Sequence, residues 1–241
     1  MNVLVVTGGS QGIGAATCRL AARRGWAVCF SYSQDVAAAD TVAGDIRAMG
    51  GTALPQRADA ADEAGMAALF DAAAELGPVM GLVNNAGITG PMSPITDLPA
   101  AALDRVLAVN VRGAFLGVRE AARRIGPGGA VVNVSSRASG LGGANEWVHY
   151  AASKGAVDTL TIGAARELAP RGIRVNAVVP GLIDTPLHGK AGLHDRVERL
   201  APGVPMGRAG TADEVAAVIL WLLSDEAAYV TGALLPVSGG R

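Results

Sequence analysis

Tyr150 and Lys154 stand four residues apart, and both types are scarce, with three tyrosines and two lysines in the chain. The other positive charges are almost wholly arginine, so a lysine at this place points to chemistry that a guanidinium cannot do. On a helix, a separation of four puts both side chains on one face. An ammonium beside a phenol favours the phenolate, which is the beginning of an acid/base catalyst. A free tyrosine titrates near pH 10, so proton exchange near neutrality asks for a shift of about 3 units, worth ~4 kcal/mol. A unit charge at ~4 Å supplies ~4 kcal/mol at an effective dielectric of 20, and Lys154 is expected to provide most of the shift.

A hydroxyl and a glycine loop complete the candidate chemistry. Ser136 follows the apolar run ending at Val134 and could orient a substrate oxygen; a serine that merely caps a strand end would suit Ser135 better. Near the N-terminus, Thr7-Gly8-Gly9-Ser10-Gln11-Gly12-Ile13-Gly14 separates an apolar run from a helical pattern at Ala15 to Arg24. Glycines at a strand-to-helix turn let the backbone approach a pyrophosphate, which the helix N-terminus then stabilises. The spacing Gly8-x-x-x-Gly12-x-Gly14 is neither G-x-G-x-x-G nor a P-loop, because no Lys-Ser/Thr pair follows.

Seven short β-branched runs position these residues: Val3 to Thr7, Ala27 to Tyr32, Thr52 to Arg57, Val79 to Asn84, Gly129 to Ser135, Ile173 to Val179, and Ala233 to Val237. They alternate with helical patterns, which predicts right-handed βαβ crossovers and an α/β fold with a seven-stranded parallel sheet. Runs such as Val3-Leu4-Val5-Val6 are apolar without alternation, as strands covered on both faces should be. Pro55 interrupts the third run and places it at an edge. Gly25 and Gly50 read as helix C-caps; Arg23, Arg24, Arg123 and Arg124 read as last-turn charges that complement helix dipoles. No repeat or linker divides residues 1–241, so one domain is expected, with a substrate flap around 182–210, where Gly and Pro are frequent.

Composition narrows the class of function. The formal net charge is −1, which leaves no footprint for nucleic acid or an anionic membrane. The longest apolar stretch, Val215 to Leu223, is too short to span a bilayer, and the first strand begins too early for a signal peptide, so a cytoplasmic protein is expected. Cys18 and Cys29 read as buried thiols, and His149, His188 and His194 form no ligand cluster, so no metal site is expected and the imidazoles read as loop or surface groups.

Taken in order, Thr7-Gly8-x-x-x-Gly12-x-Gly14, Asn84-Asn85-Ala86-Gly87, Ser136, Tyr150-x-x-x-Lys154 and Pro180-Gly181 resemble the short-chain dehydrogenase/reductase family over essentially the whole chain. The resemblance implies a single doubly wound Rossmann-like domain, a nicotinamide cofactor and a homotetramer. It also assigns Gly8, Gly12, Ile13 and Gly14 to the pyrophosphate, within a loop that includes Thr7, Ser10 and Gln11. Asp59 and Ala60 would meet the adenine, and Asn85, Ala86 and Gly87 the adenosine ribose, although Asn84 and Asn85 also suit a turn cap. Ile183 and Thr185, after Pro180 and Gly181, would contact the carboxamide. Tyr150 would pass a proton to or from the substrate oxygen, Lys154 would hold the nicotinamide ribose, and Asn110 would hold a relay water. The Ser136 to Tyr150 interval is one residue longer than is commonest in the family.

Where an acidic residue at the end of the second strand would bind the ribose 2′-hydroxyl, this chain has Ser31, Tyr32 and Ser33, which favours NADP and leaves NAD possible. Gln11 stands where NADP users of the family often have a basic residue, and Asp35 reads as a cap for the next helix. Substrate contacts are expected from 88–95, 137–149 and the flap; Met92, Leu141, Trp147 and Leu187 suit either an apolar small-molecule carbonyl or alcohol, or loop packing. The expected activity is therefore an NADP(H)-preferring oxidoreductase for ketones and secondary alcohols. An NAD-dependent sugar or polyol dehydrogenase and a non-catalytic dinucleotide sensor are the alternatives. Enoyl reductases of the superfamily use a wider Tyr to Lys spacing. Assembly is expected from Val215 to Leu223, a helix apolar on more than one side, and from the strand Ala233 to Val237.

Overall fold

The computed structural model describes residues 1–186 and 195–241; the expectations placed on Leu187, His188 and His194 lie outside the described residues. All seven expected strands form, as β1 (Val3–Val6), β2 (Ala27–Tyr32), β3 (Ala53–Arg57), β4 (Val79–Asn84), β5 (Ala130–Val134), β6 (Arg174–Pro180) and, last in the chain, β9 (Leu234–Val237). They make one parallel sheet in the order β3-β2-β1-β4-β5-β6-β9, so the strand with Pro55 is indeed an edge. Two two-residue strands, β7 (Ile183–Asp184) and β8 (Gly210–Thr211), pair separately.

The sheet separates two cores because successive strand residues face opposite sides. Leu4 and Val6 face α1 (Gly12–Arg23), α2 (Val36–Ala48) and α9 (Ala212–Leu223), contributing to a core with Cys18, Ile46 and Ile219. Val3 and Val5 face α3 (Glu63–Leu76), α5 (Gly113–Arg124) and α7 (Val148–Leu168), with Leu69, Phe70, Leu116 and Leu168. Val3 to Val6 are fully buried, and each such side chain contributes about 1.5–3 kcal/mol by leaving water. Polar links also cross the layers. Asn84 Nδ2 donates to Asn133 Oδ1 at 2.9 Å, and Asn133 Nδ2 donates to Thr161 Oγ1 at 2.9 Å, which fixes β4, β5 and α7 together.

The order in which strands are added reverses between β1 and β4, since β2 lies on one side of β1 and β4 on the other. Ligands of open α/β sheets bind at the carboxyl ends of strands beside such a switch. At this edge lie α4 (Ala100–Leu107), the π-helical turn Ala108–Arg112 and the four-residue α6 (Ala138–Leu141). The short helix α8 (Arg196–Leu200) follows β7.

The apolar helix α9 answers differently from the sequence expectation. It packs on α1 as well as on the sheet, with Val215, Ala216, Ile219, Leu220, Leu222 and Leu223 buried, so an intrachain partner covers its second apolar side. A Thr211–Glu214 capping box fixes its start. No helix among the described residues is long and apolar enough to cross a membrane.

Candidate active site

The glycine loop is shaped almost entirely by backbone. Gly12 adopts φ +52°, and a β-carbon on Gly14 would lie 2.3 Å from Gly8 O and 2.5 Å from Asn85 Nδ2, so glycine is required at both places. Asn85 Nδ2 donates to Thr7 O (3.0 Å) and Gly8 O (2.8 Å), while Thr7 Oγ1 accepts from the N–H groups of Asn85 and Ala86, each at 3.0 Å. Thus the ends of β1 and β4 clamp the loop before α1 begins. No side chain caps α1 and no acid lies in its first turn, which leaves a cradle suited to a pyrophosphate. Thr185 approaches the same loop, its Cβ 3.4 Å from the position of a Gly12 β-carbon, and Ile183 is buried behind it. Pro180 O accepts from Arg137 N and Gly181 N donates to Val237 O, which set the start of this segment.

Two expected nucleotide contacts, Ser31 and Asp59, have other commitments. Ser31 is buried, and its Oγ accepts from Gly8 N at 3.1 Å, so it braces the loop from below instead of facing the ribose. Asp59 accepts from Ala61 N at 3.0 Å and from Arg105 at 2.8 Å; burial opposes ionisation, but these bonds together hold its carboxyl below the usual range. Asp35 caps α2 through Ala38 N, as its position suggested. Ala60 is buried close behind Asp59, Tyr32 is half-buried and Ser33 is exposed.

Tyr150 and Lys154 lie on α7 beside the end of β5. Ser136 lies beside the Tyr150 phenol, where its hydroxyl favours the phenolate, and accepts from Ala138 N at 3.1 Å, so one hydroxyl serves both the candidate chemistry and the local turn. Ser135 instead donates to Lys154 O at 3.3 Å. Lys154 is 4% exposed, its Nζ donating to Val134 O at 2.7 Å and lying 5.7 Å from the centre of the Tyr150 ring.

This geometry corrects the electrostatic expectation. Burial raises the Tyr150 pKa above its ordinary value, opposed by the Ser136 hydroxyl. The ammonium donates to the β5 carbonyl while lying over the Tyr150 ring. Burial also lowers Lys154 to about 8, opposed by the charge of Asp158 four residues on.

Asn110 occupies the π turn and is buried. Its Oδ1 accepts from Ile88 N, and both amide hydrogens are used, on Ile88 O (2.8 Å) and Ser153 Oγ (2.9 Å). A β-carbon on Gly87 would lie 3.4 Å from both Asn110 Oδ1 and Lys154 Nζ, so these three residues converge at the end of β4. A cavity of about 10 Å³, room for about one water, lies between Thr7, Asn84, Ala86, Asn110, Val134 and Lys154.

The substrate side holds residues that the sequence did not single out. Arg196 is 7% exposed, makes a two-pronged ion pair with Glu146 (3.0 and 2.6 Å), and stacks 4.6 Å from the Trp147 ring. Trp147 Nε1 donates to Gly90 O at 3.3 Å, and Ser93 N donates to Glu146 O at 2.9 Å. The guanidinium thereby ties α8 to the loop before the helix carrying Tyr150, and that loop in turn bonds the 90–93 segment. The bond to Arg196 holds the Glu146 carboxyl below the usual range. Trp147 is committed to this packing, whereas Met92 and Leu141 are exposed. His149, expected on a surface or loop, is a buried helical residue; burial lowers its pKa against a bond to the Thr89 backbone, and its Nε2 has no partner among the described residues. Cys18 and Cys29 are fully buried, and burial pushes both thiols up.

Comparisons with known proteins agree with this arrangement. A family model described as enoyl-(acyl carrier protein) reductase matches residues 8–241. The chain is 47% identical to a cis-4-hydroxycyclohexanecarboxylate dehydrogenase of Sinomonas cyclohexanicum, over 99% of this chain and 96% of that one. It is 43% identical to an L-rhamnose 1-dehydrogenase (NAD(P)(+)) of Azotobacter vinelandii, over 99% and 96%. A crystal structure of a short-chain dehydrogenase from Burkholderia cenocepacia in complex with NADP superposes with a TM-score of 0.90 at 36% identity, covering 98% of this chain and 96% of that chain.

Proposed function

This chain belongs to the short-chain dehydrogenase/reductase family, oxidoreductases that act on CH–OH donors with NAD(P), and on that premise we propose that it interconverts a ketone and a secondary alcohol with a preference for NADP(H). The carrying observation is the placement of Ser136 beside the Tyr150 phenol, close to Lys154 and at the sheet edge that also holds the glycine loop. The loop residues Gly8 to Gly14 would hold the pyrophosphate, and Ile183 and Thr185 would border the nicotinamide. A bound nicotinamide nucleotide supplies the hydride acceptor or donor.

The chain's own residues then manage the substrate oxygen and its proton. Ser136 orients the oxygen, and Tyr150 gives it a proton in reduction and takes one in oxidation. Lys154, set between Val134 O and the Tyr150 ring, supplies positive potential to the same place. Asn110 positions Ile88 and Ser153, and through Ser153 the turn of α7 that carries Tyr150. The four-residue spacing of Tyr150 and Lys154 favours C–O chemistry over the enoyl reduction named by the family model. Retention of Ser136, Tyr150 and Lys154 together argues against a silent dinucleotide sensor.

Within the expected flap, the described residues 182–186 and 195–210 would border the substrate, beside apolar surface offered by Met92 and Leu141, while 187–194 lie outside the described residues. The L-rhamnose dehydrogenase among the relatives supports the second reading, a sugar or polyol dehydrogenase using NAD. A panel of apolar secondary alcohols, cyclic hydroxyacids and aldoses, tested with each cofactor and followed at the absorbance of reduced nicotinamide, separates the two. The first reading expects faster turnover of a secondary alcohol with NADP; turnover confined to sugars with NAD would replace it. We also propose a cytoplasmic homotetramer, supported by the half-exposed edge strand β9 and fully exposed Tyr229. Light scattering that reports a monomer at micromolar concentration would refute that assembly.

A further inference from the structure

Arg57 closes β3 opposite Tyr32 of β2, and it was absent from the residues that sequence reasoning assigned to the nucleotide. Its Nε donates to Ser33 O at 3.2 Å, so the guanidinium rests on the backbone just beyond β2. It has no carboxylate partner among the described residues. In a Rossmann-like sheet, this is the neighbourhood in which the adenosine ribose 2′ position is read.

One carboxylate stands in the same neighbourhood, and both of its oxygens are engaged. Asp35 Oδ1 accepts from Ala38 N at 3.0 Å, and Asp35 Oδ2 accepts from Gln11 Nε2 at 2.7 Å. Gln11 belongs to the glycine loop, so the nucleotide cradle itself ties this acid to the start of α2. A carboxylate left free beside a ribose would accept from a 2′-hydroxyl and repel a phosphate. Pinned as a helix cap, it leaves the guanidinium as the uncommitted charge, while Ser33 adds an exposed hydroxyl.

We propose that Arg57 reads the 2′-phosphate of NADP(H), and that Gln11 permits this by holding Asp35 away from it. The inference rests on the dinucleotide reading above and assigns its cofactor preference to named side chains. An arginine supplies a permanent charge and parallel N–H donors suited to a phosphomonoester, which carries about −1.5 to −2 at neutral pH. Drawing the cation from the third strand explains how NADP can be favoured without a basic residue in the glycine loop.

Calorimetric titration of the full chain with adenosine 2′,5′-bisphosphate and with 5′-AMP tests this without turnover. The wild type should bind the bisphosphate at least about tenfold more tightly. Arg57→Gln should remove about tenfold of bisphosphate affinity and leave 5′-AMP within about twofold, with Arg57→Lys in between. Gln11→Ala should weaken the bisphosphate, and Asp35→Asn added to it should restore the affinity, since the freed charge is then absent. Equal binding of both nucleotides by the wild type, or an unchanged preference in Arg57→Gln, would overturn the role of Arg57 while leaving dinucleotide binding in place. Failure to bind either nucleotide would remove dinucleotide binding and this assignment together.

Discussion

The glycine loop is fixed by backbone atoms and by Thr7 and Asn85 at the ends of two adjacent strands, whereas the proposed substrate side is joined by the side chains of Glu146, Trp147 and Arg196 from two segments. At the first region, adding one carbon to Gly14 would strike Gly8 O. At the second, the joining element is the guanidinium of Arg196, contacting Glu146 and Trp147 fifty and forty-nine positions earlier. A rigid backbone cradle suits a ligand part common to many enzymes. Side-chain joints suit the part of the site that must differ between substrates, because they can change without disturbing the sheet.

Breaking the cradle should have the larger effect. Gly14→Ala is expected to weaken NADPH binding by at least about 100-fold and to cost about 1–3 kcal/mol of stability, through overpacking of the loop. Fluorescence titration of NADPH checks this, and an unchanged affinity would mean that the loop is not the cradle.

Lys154, between the two regions, gives a pH-dependent effect. Its folded pKa of about 8 lies below the ordinary 10.5, so the unfolded chain binds this proton more strongly. Its contribution to stability is therefore flat below about pH 8 and rises up to about 10.5, by on the order of 3 kcal/mol. Comparison of denaturant midpoints for wild type and Lys154→Met should show this rise only in the wild type. Equal slopes would contradict the buried, readily neutralised lysine.

The smallest effect belongs to the substrate-side joint. Arg196→Ala and Glu146→Gln should each raise substrate KM by about tenfold and leave NADPH affinity within about twofold. Arg196→Ala should also alter the Trp147 emission, by removing the stacked cation. A loss of NADPH affinity as large as that of substrate would mean that the two regions are one coupled unit.

The same contrast explains what could be read from the sequence. Seven strands were legible because β-branched runs buried on both faces lack the alternation of a half-exposed strand, and Pro55 marked the edge. Tyr150 and Lys154 were legible because their spacing is local to one helix. Ser31 was misplaced because a strand pattern does not reveal that its hydroxyl meets Gly8 N. His149 was misplaced because its burial depends on segment 88–90, far away in the chain. The depression expected at Tyr150 left out the cost of burying the phenol, which depends on segments far away in the chain. Glu146 and Arg196 carry no local signal at all, since neither the length of the intervening chain nor its composition fixes their meeting.

The account turns on Tyr150 as the proton donor and acceptor. Tyr150→Phe keeps the ring that packs in the site and removes only the hydroxyl beside Ser136. With the best substrate of the panel, turnover should fall by about 10²–10⁴-fold, while NADPH affinity stays within about twofold of wild type. A folded Phe variant that binds NADPH and turns over at the wild-type rate would contradict it.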